Sequence, residues 1–184
     1  LNSMKILLTH FFSKKNKGDA AINSVVVSQL KRTYPDAQIT ISSSDVFKRK
    51  DQFEGAKFVS SFLYESLYAS KNPVMRIART LYVIVASSLW SLTKRDLLLS
   101  NRLRDYLHAL QSADLIVATG GGYLYARNNI REDIVLVLQL WPIVIAKLLR
   151  KHVLMYAQSI GPFNNWFEKF MAKNILNTVD VIMT

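Results

Sequence analysis

Short β-rich runs alternate with longer stretches of helical spacing along most of this chain. Lys5 to Thr9 (KILLT) is apolar without alternation, the pattern of a strand buried on both faces. A polar loop, Phe11 to Gly18, follows; Ala21, Ile22, Val25, Val26 and Leu30 then recur at helical spacing. Asp19 stands where an N-cap belongs, its carboxylate accepting from the free N–H groups of the first turn. Tyr34-Pro35-Asp36 stops that helix, and Gln38 to Ser42 alternates as a second strand. A β-α-β unit of this kind predicts parallel pairing with a right-handed crossover.

The middle of the chain reads less sharply. Lys57 to Ser60 suits a third strand, and Leu63 to Leu110 is mostly helical, with breaks at Asn72-Pro73 and around Lys94. Asp114 to Thr119 (DLIVAT) is a buried strand running straight into Gly120-Gly121-Gly122. Ile130 to Arg150 follows as an apolar helix, with an interruption or kink expected at Pro142. His152 to Ala157 forms the next strand and ends in Gln158-Ser159-Ile160-Gly161-Pro162. Trp166 to Asn177 is amphipathic, and Val179 to Met183 begins a further strand at the end of the chain. The whole reads as an α/β fold, a Rossmann-like doubly wound parallel sheet.

Length and composition narrow the class. At 184 residues the chain suits one domain, and its 50% hydrophobic and 20% charged content is that of a folded globular protein. The absence of cysteine excludes disulfides, thiolate zinc sites and cysteine nucleophiles. The uncharged apolar runs Thr80 to Thr93 and Ile134 to Ala146 are shorter than the ~18 residues a membrane-spanning helix needs. Leu1-Asn2-Ser3 before Met4 reads as a vector remnant, and the start lacks the features of a signal peptide, so a cytoplasmic protein is expected. A net charge of +11 asks for an anionic neighbour.

The glycines locate the candidate site. Gly18, Gly120 to Gly122 and Gly161 are all predicted in loops directly after strands, and such loops meet at the carboxyl rim of a parallel sheet, where ligands bind. Asn16-Lys17-Gly18-Asp19 opens a helix, offering backbone N–H groups, the positive dipole end and a cation. Gly120-Gly121-Gly122 permits close backbone approach to a ligand, with Tyr123 and Tyr125 beside it to hydrogen-bond or stack. Gln158, Ser159 and Gly161 add amide and hydroxyl groups on a stiffened turn. Each segment also has a purely structural reading: a tight turn with a capping Asp, close strand-helix packing, and an ordinary Gly-Pro turn. The spacing matches neither the dinucleotide Gly-x-Gly-x-x-Gly fingerprint nor the phosphate loop of nucleotide hydrolases.

Taken together, Asn16 to Ala21 (NKGDAA), Asp114 to Leu124 (DLIVATGGGYL) and Tyr156 to Pro162 (YAQSIGP) resemble the polysaccharide pyruvyl transferase family. The resemblance implies one half of a GT-B-type enzyme, two Rossmann-like lobes facing each other across a cleft. This chain would be the N-terminal lobe, residues 1–184, inactive alone and lacking the C-terminal lobe. It further implies transfer of pyruvate from phosphoenolpyruvate to two hydroxyls of a sugar or lipid-linked oligosaccharide, as a cyclic ketal, in exopolysaccharide or cell-wall polymer synthesis. Phosphoenolpyruvate would be the donor substrate, with no separate cofactor. The substrate-binding residues carried by the matching motifs are Asn16, Lys17, Gly18, Asp19, Gly120, Gly121, Gly122, Tyr123, Gln158, Ser159 and Gly161. Competing readings are a GT-B glycosyltransferase using a nucleotide sugar and a non-catalytic basic module that docks on membrane or acidic polymer.

His10, at the end of the first strand, is either an acid/base or phosphate contact or simply a packed histidine. His108 and His152 are poorer candidates by position. Arg127 and Arg131 flank Asn128 and Asn129 after the glycine triplet and suit a carboxylate or phosphate, or decorate a helix start. Residues 71–104 hold seven basic residues against the single acid Asp96, interleaved with Leu81, Val83, Ile84, Trp90 and Leu92. That is either a face for an anionic membrane, placing the protein peripherally on the inner leaflet, or a core helix with solvated basic flanks. No His/Asp/Glu group has metal-ligand spacing, no serine-histidine-aspartate arrangement is signalled, and nucleic acid is supported by charge alone.

Overall fold

A computed structural model describes residues 3–11, 17–44, 53, 55–126 and 129–184. Its frame is one parallel sheet of six strands: β1 (Lys5–Phe11), β2 (Gln38–Ser43), β3 (Lys57–Ser60), β4 (Leu115–Leu124), β5 (His152–Ile160) and β6 (Val181–Ile182), in spatial order β3-β2-β1-β4-β5-β6. The lack of alternation in β1 has its cause in the two layers that cover it. Ile6 and Leu8 pack against Val26 and Val27 of α1 (Lys17–Thr33). Leu7 faces the opposite core, shared by α2 (Pro73–Thr93), α3 (Asn101–Ser112), α4 (Ile130–Leu148) and α5 (Trp166–Leu176).

Local chemistry sets the helix ends. The Asn72 carboxamide accepts from the N–H groups of Val74 and Met75, with Pro73 opening α2, and Lys94 closes it in the left-handed region at φ 58°. Both breaks expected in this stretch are thus the ends of one helix. Ser100 caps α3, and Asn165 with Glu168 forms a capping box on α5. A π-helical turn, Tyr64–Tyr68, precedes α2, which rests on that turn, α3 and α4. Pro142 does not interrupt its helix: α4 continues to Leu148, because the surrounding core buries Leu136, Leu140, Ile143 and Ala146 and offsets one lost backbone hydrogen bond.

The strand order reverses between β1 and β4, so the crevice of this sheet lies where their carboxyl ends diverge. At that rim the expected loops give way to strand. Gly120, Gly121 and Gly122 lie within β4, and Gln158 and Ser159 within β5, because pairing continues through Gly121 with Gln158 and Leu124 with Ile160. Gly18 lies inside α1, which starts at Lys17; Asp19 is accordingly in the first turn and not the cap. Gly120 makes the β4–β5 approach possible. A Cβ there would lie 2.0 Å from the Ala157 carbonyl oxygen and 2.6 Å from that of Tyr156. At Gly122 a Cβ would meet nothing within 4 Å.

Gly120→Ala is therefore expected to destabilise the fold by about 3 kcal/mol or more, since backbone on two strands must part. Gly122→Ala should stay within about 0.5 kcal/mol of the parent. Urea unfolding of the two variants checks the contrast, and equal midpoints would refute it.

Candidate functional site

Three neighbouring strands depart from regular geometry at their carboxyl ends. In β1, His10 adopts φ 61° and the register with β2 shifts between Leu8 and Phe11. In β4, Gly121 adopts φ 147° and the register with β5 shifts between Gly121 and Leu124; in β5, Ala157 adopts φ 52°. Left-handed backbone at non-glycine residues costs energy and, like bulges, gathers where side chains are re-aimed at a site. The surrounding bonding shows what is aimed here.

His10 is buried and both ring nitrogens are engaged. Its Nε2 faces the Gln139 carbonyl at 2.6 Å, and a carbonyl only accepts, so the proton sits on Nε2. Nδ1 then accepts from the Thr9 hydroxyl at 2.9 Å. Burial pushes the imidazole down to about 4, so it is neutral near pH 7. Its ring stacks on Tyr123 with centroids 4.6 Å apart and an interplanar angle of 6°. His10 is thus the packed histidine, and what it positions is Tyr123. The Tyr123 hydroxyl donates to the Thr119 carbonyl at 3.1 Å, and Thr119 in turn donates to the Thr9 carbonyl at 3.0 Å. The histidine, the tyrosine and two threonines tie the end of β1 to the end of β4.

From the opposite layer, α1 brings Asp19 to the same place. Its Oδ1 would lie 3.0 Å from a Cβ at Gly121, so the missing side chain there leaves room for the carboxylate. Burial, and secondarily the Asp19 charge, hold the Tyr123 phenol well above its ordinary range. Gln158 closes the group from β5: its Nε2 donates to the Gly121 carbonyl at 2.6 Å and to that of Ser159 at 3.0 Å. Among the described residues, the buried Gln158 Oε1 has no hydrogen-bond partner, and neither side-chain polar atom of Asn23, one turn beyond Asp19, has one. Buried amides left in this state are groups that water or a ligand satisfies.

Of the residues singled out in the sequence, Asp19, Gly121, Tyr123 and Gln158 come together. Lys17 and Gly18 are exposed at the start of α1, Gly122 lies open on β4, and Ser159 is exposed near the end of β5. Gly120 and Gly161 serve the backbone. Gly120 is sealed between strands; Gly161, at φ 83°, turns the chain after β5 and donates its N–H to Leu124 at 2.7 Å. Asn16, Arg127 and Asn128 lie outside the described residues. Among the described residues, no group of acids and histidines is placed to hold a metal ion.

One polar group escaped the sequence reading. Asp133, in the first turn of α4, accepts from Asn165 Nδ2 at 3.4 Å and lies beside Glu168, which is fully buried in the capping box of α5. Burial, then hydrogen bonding with Glu168, holds the Asp133 carboxyl above its usual range. The spacing Asn165-x-x-Glu168 was the available signal, a capping box written in the sequence.

Over residues 16–184 the chain matches the family model described as Polysaccharide pyruvyl transferase. No curated protein and no solved structure matches it.

The buried neutral His10 fixes a pH dependence. The unfolded chain takes up this proton near pH 6.5 and the folded one only near 4, so stability is full above about 6.5 and falls as pH drops toward 4. The difference is on the order of 3 kcal/mol. His10→Asn, which tolerates the left-handed backbone, is expected to be less stable at pH 7 and to lack this loss between pH 6.5 and 4. Urea titrations across that range check it; parallel curves would refute the assignment.

Proposed function

The chain belongs to the polysaccharide pyruvyl transferase family, and from that premise we propose that it forms the N-terminal, Rossmann-like wall of a two-lobed GT-B-type enzyme. The reaction moves pyruvate from phosphoenolpyruvate onto two hydroxyls of one sugar, in exopolysaccharide or cell-wall polymer synthesis. The observation that carries this reading is the meeting of Asp19, Gly121, Tyr123 and Gln158 at the carboxyl ends of β1, β4 and β5. Among the described residues it is a rim built of a carboxylate, open backbone and amide groups.

The chemistry sets what such a wall must do. Proton addition to the enol methylene makes the adjacent carbon an electrophile, one sugar hydroxyl adds there, and loss of phosphate gives an oxocarbenium-like centre. The second hydroxyl closes the ketal. Of the two protons lost from the hydroxyls, one balances that gained by the methylene and the other leaves with the phosphate. A carboxylate suits the acceptor: Asp19 takes a hydrogen bond from an attacking hydroxyl and draws off its proton as the bond forms. The open strand at Gly122 lets a sugar ring approach the backbone. Lys17, exposed at the start of α1 two residues before Asp19, supplies positive potential for the donor's carboxylate or phosphate.

The test is phosphate release from phosphoenolpyruvate with a diol-bearing sugar acceptor, followed with the ketal methyl signal by NMR, in the longer two-lobed protein. Asp19→Asn and Gly122→Ala are expected to lower kcat/KM about tenfold or more, with melting temperatures within a few degrees of the parent. Saturable binding of a nucleotide sugar, with no phosphate released from phosphoenolpyruvate, would overturn the reading in favour of a glycosyltransferase.

A further inference from the structure

Helix α2 is apolar on both its faces. Inward, Val83, Ala86 and Trp90 are buried in the core. Outward, Val74, Ile77, Leu81, Val85, Leu89 and Leu92 recur at helical spacing and are 43–76% exposed. They form a stripe along most of a helix about 30 Å long. Leu97 and Leu98, 84% and 59% exposed, extend it past the helix end. Globular helices ordinarily turn a polar face to water, and a continuous apolar stripe of this length marks an interaction surface. Ile77 and Leu81 also wall a groove of about 720 Å³ between α2 and α4.

Charge identifies the occupant. Helix α2 contains no acid. Lys71 precedes it and Lys94 and Arg95 follow it; at the groove stand Arg76 and Arg131 with the acid Asp133, which lies against Asn165 and Glu168 of α5. The one acid between residues 71 and 98, Asp96, is taken up by His108 at 3.1 Å and by the Trp90 indole at 2.9 Å. An apolar stripe bounded by cations at both ends is the pattern of a helix lying in a lipid interface: side chains enter the acyl boundary and basic groups reach the headgroups. Among the described residues no helix is long and apolar enough to cross a membrane, so the contact lies along the surface.

We propose that the outer face of α2, with the basic residues at its ends, docks this protein on an anionic lipid bilayer. The proposal is independent of the reaction assigned to the rim. Because the chain has no cysteine, a single reporter can be placed at will. Leu81→Cys carrying an environment-sensitive fluorophore is expected to shift to the blue on vesicles of equal parts phosphatidylglycerol and phosphatidylcholine. Ser28→Cys, exposed on α1 across the sheet, should not. In flotation with the same vesicles, Lys71→Gln and Arg95→Gln should each lower the partition coefficient about fivefold, and Leu81→Ser with Leu92→Ser should abolish binding. Circular dichroism confirms that the variants stay folded, and the labelled reporters give a second readout. Absence of binding to anionic vesicles would overturn the proposal. So would equal shifts at Leu81→Cys and Ser28→Cys, or self-association in sedimentation equilibrium that the paired serine substitutions remove while vesicle binding persists.

Discussion

The architecture of the rim hangs on the space that a missing side chain leaves at Gly120. With no Cβ there, the backbone of β4 comes against the carbonyls of Tyr156 and Ala157, and the two strands keep pairing beyond the point where β1 ends. That extension carries Gly121, Tyr123 and Gln158 to the place that Asp19 reaches from the other layer. It also places Tyr123 against His10. A side chain at 120 would separate the strands and disperse all of these groups together. The triplet is therefore three different constraints: close strand contact at 120, room for a carboxylate at 121, and open surface at 122.

Electrostatics at the rim are simpler than the residue types suggest. Burial keeps His10 neutral and the Tyr123 phenol protonated, so both act through shape and hydrogen bonds. The Asp19 carboxyl group faces Gly121. Part of the chain's overall excess of +11 flanks the apolar face of α2, at Lys71, Lys94 and Arg95. Among the described ion pairs, Arg102 with Glu65 and Lys147 with Asp180 use only a small part of it.

How far the sequence carried the reading depended on how local each signal was. The β-α-β start, the extent of β3, and both ends of α2 were legible because apolar periodicity, an Asn-Pro start and turn residues act within a few positions. The family resemblance was legible because NKGDAA, the GGG strand and QSIGP keep their order. Strand ends were not: β4 and β5 ran on through glycines that elsewhere mark loops, because their partner across the sheet supplied the hydrogen bonds. Pro142 stayed inside α4 because core burial outweighed one missing bond. The Asp133–Asn165–Glu168 group joins residues about 35 positions apart, a distance over which no periodicity speaks.

By itself, then, the sequence determined the order of elements, the parallel sheet, the identity of the family and most of the residues that meet at the rim, since these rest on short-range pattern and residue chemistry. Tertiary structure alone decided their roles. It chose the packed histidine over the acid/base contact for His10, separated the three glycines by what stands opposite each, and set the outer stripe of α2 on the surface. Each of these depends on which distant backbone or side chain comes within contact distance, and only the packed sheet and its two helical layers set that.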